Sequence, residues 1–326
     1  MKNISSPTRR SLQRALFLLL LFVPLYYIIG EIRPERNQSS TKEVTEAKPH
    51  LEEHKEQENN FATKSLENKR ENSLADSEVE IKRLELPQRM EGANNLFVVH
   101  KSGDRVNYSL EYDTERRHAR WVAFTLDNDN SSSRVRRSDA WSWDPKLPKR
   151  YSTENWFRGS GYSRGHLVAS EDRAYSQEAN EQTFYYSNIS PQLQEHNGGI
   201  WVKLERKIQA WGRDASLRDI LYVTKGGTIR EDQIETQRIR GKMVIPRYYW
   251  AALLLEKNGV YHSIAFLTEH RAYSKDEGKL RDLALSVDAL EEFTGLDFFH
   301  NLPDDIERSV EAEDPNARLA RTIWWS

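Results

Sequence analysis

Apolar residues are spread so unevenly along this 326-residue chain that only the part from about Leu84 onward can build a core. Residues 38–80 repeat Glu, Lys, Asn and Ser and nearly lack aromatics. Such a stretch buries too little apolar surface to offset its chain entropy, which predicts a disordered or transiently helical tether. A short coiled coil is the alternative, but Leu51, Phe61, Leu66 and Leu74 keep no heptad spacing. The expected organisation is a tether over residues 31–83 and one folded domain over residues 84–326.

Ahead of the tether lies a basic segment, residues 1–14, carrying Lys2, Arg9, Arg10 and Arg14 and no acid. Residues 15–30 then read ALFLLLLFVPLYYIIG. That run is short beside the ~20 residues usual for a spanning helix. It fits a secretory signal peptide or a single signal anchor whose basic side stays in the cytoplasm. Against cleavage, no Ala-x-Ala site precedes Glu31, and Tyr26 and Tyr27 suit an interfacial aromatic belt. Either reading places the rest of the chain outside the cytoplasm. Uncleaved, the run makes the membrane a partner.

The chain has no cysteine, which excludes disulfide scaffolds, thiolate zinc sites and a cysteine nucleophile together. Any metal must sit on oxygen or imidazole. Net charge is −2 overall and about −1 over residues 81–326, so this is no strongly basic protein that wraps duplex DNA. Residues 134–173 nevertheless carry nine Lys and Arg against five acids, a local basic patch in a near-neutral domain.

Short β-type runs are expected at residues 97–100, 108–112 and 121–126, then at 219–224, 242–246, 248–255 and 262–267. Residues 127–165 read as a long loop, of the kind that is usually functional. A short helix over residues 178–183 leads into Phe184-Tyr185-Tyr186-Ser187, read as strand. Ile200, Trp201, Leu204, Ile208 and Trp211 recur at three and four, predicting a helix over residues 198–211. Residues 286–294 read as a helix capped by Gly295. Strands and helices interleave irregularly, which favours α+β over a doubly wound α/β class.

The chemistry concentrates in Gly159-Ser-Gly-Tyr-Ser-Arg-Gly-His166. Gly165 is read as the point where the backbone turns sharply, freed by its missing Cβ. Asn197 follows His166 by thirty-one residues, and Glu205 comes eight later. At 3.6 residues per turn, positions 197, 201 and 205 share a helix face, so Asn197 and Glu205 can both look toward a site fed by His166. These residue types suit phosphodiester hydrolysis. It needs a base working near neutral pH, which His supplies, and charge neutralised by a divalent cation and an Arg. Mg²⁺ keeps most of its waters, so one amide oxygen and a nearby carboxylate suffice to hold it. No His-Glu-x-x-His, no carboxylate-rich metal cluster and no Gly-x-Ser-x-Gly elbow stands out.

The run from Gly161 through Arg173, followed by Thr183-Phe-Tyr-Tyr-Ser-Asn-Ile-Ser-Pro-Gln192, resembles the non-specific DNA/RNA endonuclease family. Asn197, Trp201, Leu204 and Glu205 continue the likeness in order, as do Val223-Thr-Lys-Gly-Gly227 and Val244-Ile-Pro246. The resemblance covers about residues 84–305 and implies a ββα-metal (His-Me finger) fold, a central mostly antiparallel sheet with flanking helices. It implies a Mg²⁺ cofactor, with Mn²⁺ as a substitute, and DNA and/or RNA as substrate. By position, His166 matches the general base, Asn197 the metal ligand, Arg164 a phosphate contact and Glu205 the acid near the hydrated metal. Asn188 matches a further active-site Asn, and Arg137, ahead of Arg136 and Arg134, the loop Arg that stabilises the transition state. Ser163 stands where the family signature has Asp, which puts full activity in question. A catalytically weak binding or envelope protein retaining the fold is therefore the rival expectation. His100, His118, His196, His262 and His300 are read as structural, and Trp201 and Trp211 as core.

Overall fold

The computed structural model describes residues 83–325. The expected basic segment, apolar run and tether lie outside the described residues. No helix among the described residues is long and apolar enough to cross a membrane.

Seven strands form one antiparallel sheet: β1 (Asn95–Ser102), β2 (Arg105–Asp113), β3 (His118–Leu126), β6 (Ile220–Gly227), β7 (Tyr248–Lys257), β8 (Val260–Glu269) and the short β9 (Ala284–Leu285), in that spatial order. Strands β4 (Ser163–His166) and β5 (Ile189–Gln192) make a separate antiparallel pair. The helices are α1 (Gln177–Gln182), α2 (Val202–Arg213), α3 (Val287–Thr294), α4 (Asp304–Glu311) and α5 (Arg318–Trp324).

The large sheet is covered on both faces, and alternation along each strand sorts its residues between two cores. Val122, Phe124, Leu221, Val223, Leu253 and Leu255 face the α2 side, where Trp201, Leu204, Ile208 and Trp211 meet them. Trp121, Ala123, Tyr222, Trp250, Ala252 and Leu254 face the other side, against Val287, Leu290, Phe298 and Val310. Burial on both faces explains why β7 reads as an unbroken apolar run and not as an alternating one. Helix α3 ends as expected, with Gly295 in the left-handed conformation at φ 71°, while Ser286 stands one residue before the helix as its N-cap, its hydroxyl accepting from the Ala289 amide.

Three expectations need correction. Residues 242–246 add no strand to the sheet; Ile239–Met243 and Ile234–Pro246 form isolated bridges, and Met243, Val244 and Ile245 fill two small loop cores. Tyr186–Asn188 is a 3₁₀ turn, so residues 184–187 are not a strand. The long loop ends at Ser163, because the hydrophilic Ser-Arg-Gly-His segment pairs with Ile189–Gln192 as β4. Hydrophobic patterning carries no signal for a four-residue strand whose ladder partner lies over twenty residues away.

Candidate active site

The β4–β5 pair is bolted to the large sheet through Ser190, whose hydroxyl meets His118 Nε2 at 2.6 Å and the Tyr249 hydroxyl at 2.7 Å. Tyr249 also donates to the Pro191 carbonyl at 2.7 Å. Gly165 lies in regular strand opposite Ser190, so a free backbone is not its purpose. A Cβ there would sit 2.3 Å from the Gln192 side chain, and the glycine is required by close approach.

After β5 the chain enters a helix that starts with one turn, Gln194–His196, and widens into a π-type turn over Asn197–Trp201 before α2 begins. Gly199 breaks the helical dihedrals there, with φ −103° and ψ −105°. The even 3.6-residue face expected for positions 197, 201 and 205 is therefore not the geometry used. Asn197 and Glu205 still line one cavity of about 300 Å³ together with His166, Arg137 and Arg164. Trp201 is wholly buried and donates from Nε1 to the His166 carbonyl at 3.2 Å, so a core residue also fixes the strand end that carries the imidazole.

His166 is 8% exposed, and its Nε2 is buried with no hydrogen-bond partner among the described residues. Burial, helped by the positive charges of Arg137, Lys225 and Arg164, lowers its pKa to about 3. The imidazole is thus neutral at pH 7. Burial pushes Glu205 the other way, up to about 7, with Lys225 opposing the rise. A neutral base, an amide and a carboxylate near its titration point share one cavity.

Arg137 and Arg164 both front this cavity, whereas Arg134 and Arg136 do not line it. Arg164 lies 3.9 Å from the Trp141 ring centre and Arg137 lies 4.6 Å from that of Phe184. The two arginines also line a neighbouring concavity of about 620 Å³, walled by Trp141, Phe157, Tyr162 and Tyr186. A third concavity, about 320 Å³, continues from it past Arg158 and Tyr162 to Arg238 and Arg240. The basic patch is thereby narrowed. Arg173, counted within it, is wholly buried and donates to the carbonyls of Asp172, Asn107 and Thr125.

Asn188 does not reach the cavity. It is fully buried, donates to the carbonyls of Val168 and Thr183 and accepts from the Val168 amide, pinning the chain just beyond His166. Ser163 donates to Gln194 Oε1 at 2.6 Å and also lies outside the catalytic cavity. The histidines read as structural are engaged elsewhere, among them His100 with Asp144 and His262 with Glu313. Two contributors escaped the sequence reading. Lys225 is completely buried, paired with Asp172 at 3.1 Å, and biases both His166 and Glu205. Its signal is a lysine set between threonine and glycine in an otherwise apolar strand. Trp141, the platform for Arg164, hides in a loop without periodicity.

A two-strand pair bearing a histidine, followed by a helix bearing an asparagine, against a large antiparallel sheet, defines a nuclease of the ββα-metal class. Residues 93–305 match the profile of the DNA/RNA non-specific endonuclease family, and the chain belongs to that family. It is accordingly a hydrolase of nucleic-acid phosphodiesters from a metal-dependent group. A nuclease of Nostoc is 28% identical over 223 residues, 64% of this chain and 77% of that protein. The mitochondrial nuclease EXOG of Xenopus laevis is 30% identical over 214 residues, 61% of this chain and 58% of its own length. The Serratia marcescens nuclease is 26% identical over 230 residues, 68% and 82% of the two chains. Among solved structures, the crystal structure of the EndoG/EndoGI complex aligns with a TM-score of 0.56 at 21% identity, covering 66% of this chain and 91% of that one, which supports the fold.

Proposed function

We propose that this chain is a Mg²⁺-dependent endonuclease cutting DNA and/or RNA with little sequence specificity, working outside the cytoplasm. The observation that carries the reading is the neutral His166, its Nε2 unpartnered, in one cavity with Asn197, Glu205 and two arginines. The residues fit a hydrated hard cation: the Asn197 amide oxygen would hold it, and Glu205 would accept from its waters. When bound, the cation neutralises charge on the scissile phosphate and its leaving oxygen. Mn²⁺ suits the same oxygen ligands.

His166 takes the proton of the attacking water at the ring nitrogen facing the cavity. A base held at about pKa 3 is weak, but part of that depression comes from Arg137 and Arg164. A phosphate between the arginines offsets their charge and raises the imidazole toward a useful value. Arg137 and Arg164 grip phosphate oxygens, contacts that carry no sequence information. The aromatic and arginine-lined concavities that follow offer stacking surface and backbone contacts to the flanking strand. Export rests on the apolar run at residues 15–30. The test is incubation of the purified chain with supercoiled plasmid and with RNA in Mg²⁺. Cleavage abolished by a chelator and restored by Mg²⁺ supports the enzyme. Binding without cleavage in Mg²⁺ and Mn²⁺ favours the weak binding or envelope protein.

A further inference from the structure

On the side of the sheet away from α2, three carboxylates converge that no single stretch of sequence brings together. Asp288 and Glu291 stand three apart on α3, hence on one face, and Glu311 closes the last turn of α4. One carboxylate oxygen from each lies within 4.8 Å of the others. Glu311 is 6% exposed, and its Oε1 has no hydrogen-bond partner among the described residues. A buried oxygen left unsatisfied beside two other acids costs stability unless something cationic meets it. The negative end of the α4 dipole falls at the same place. Asp297 and Glu307 deepen the negative field around Glu291 and Glu311.

We propose that Asp288, Glu291 and Glu311 form a calcium site that clamps α3 to the end of α4, separate from the catalytic cavity. The ligands are all hard oxygens, which excludes soft metals. Asp288 is exposed, Glu291 half-buried and Glu311 buried, so water completes the coordination from the open side. An irregular, partly hydrated set of carboxylates suits Ca²⁺, which accepts six to eight oxygens flexibly, better than Mg²⁺, which demands a near-regular octahedron. The clamp has a mechanical target. The end of α4 is tied to β8, with Ser263 Oγ donating to the Val310 carbonyl at 2.6 Å and the Ser263 amide donating to Glu313 at 3.0 Å. No sequence motif announces the grouping, because Glu291 and Glu311 lie twenty residues apart.

The experiment uses the full chain, purified in mild detergent and stripped with EDTA, with Asn197→Ala introduced so that the catalytic cavity does not contribute. Calorimetric titration with CaCl₂ and thermal melts by circular dichroism are the readouts. One Ca²⁺ is taken up per chain, and at about a hundredfold over its Kd the melting temperature rises by about 5–10 °C. Adding Glu311→Gln abolishes both uptake and rise. Asp288→Asn, at an exposed position, weakens both and serves where the buried substitution fails to fold. No uptake by the Asn197→Ala chain, or equal uptake with and without the carboxylate substitutions, overturns the site. A melting temperature that responds to pH but not to calcium, as for carboxyls that merely share protons, overturns it equally.

Discussion

The two faces of the large sheet are built from comparable apolar layers and yet differ in the charges they hold. On the α2 face the polar burden is mixed, imidazoles and Lys225 standing with Asp172 and with Glu205, whose pKa burial raises to about 7. His166, His118 and His196 have pKa values lowered to about 3, about 4 and about 3, all chiefly by burial. On the α3–α4 face it is anionic, with burial and crowding raising Glu291 to about 7 and Glu311 to about 9. An apolar scaffold indifferent to sign thus holds neutral imidazoles, cations and acids together on one side and crowded acids on the other. The first arrangement suits a polyanionic substrate, and the second suits a cation.

The largest stability effect should come from the buried pair that underpins the catalytic face. Lys225→Met leaves the buried Asp172 carboxyl with only the Gln209 amide and the Ala169 backbone to meet it. We expect a loss of about 3–5 kcal/mol in denaturant unfolding. A loss below about 1 kcal/mol would mean that the pair is dispensable and that the contrast between the faces is overdrawn.

The pH dependence of the melt should separate the faces next. An imidazole whose folded pKa lies below its unfolded value binds fewer protons when folded. Its stabilising effect is complete above about pH 6.5 and is lost progressively as pH falls toward 3–4. A carboxyl with a raised folded pKa does the reverse, being fully stabilising below about pH 4.5 and losing that contribution as pH climbs to about 9. In calcium-free buffer, melts from pH 4 to 9 should therefore sag at both ends, and Glu311→Gln should lessen only the alkaline sag, leaving the part that Glu291 and Glu205, raised to about 7, contribute. Flattening of the acid side instead would assign the charges to the wrong face.

A smaller effect should appear along the groove. Arg238→Ala and Arg240→Ala lie beyond the aromatic concavity, so they should weaken binding of long substrates severalfold, lower its salt dependence and leave cleavage of a dinucleotide unchanged. An equal loss on the dinucleotide would place these arginines in the chemistry.

Legibility in the sequence followed the range of the physics. The α2 stripe, the Gly295 cap and the run of β7 are local, and patterning found them. The His166–Asn197–Glu205 grouping was found too, though the route assumed a regular helix where a π turn delivers Asn197 to the cavity. What patterning missed depends on distant partners. Strand β4 exists because of β5, and Gly165 is small because of Gln192. Asn188 shapes the site through the Val168 and Thr183 backbone, and Lys225 matters through Asp172 and the two titrating groups. Apolar content also misled: Met243-Val244-Ile245 is buried as loop filling, a role that an apolar run shares with strand.

The most direct measurement is single-turnover cleavage of supercoiled plasmid in saturating Mg²⁺ by the His166→Ala chain beside the unaltered one, with plasmid affinity measured in parallel. We predict a rate lower by about 10²–10⁴ with affinity kept within a few fold. A rate within tenfold of the unaltered chain would contradict the role of His166, because water would then be losing its proton to some other group.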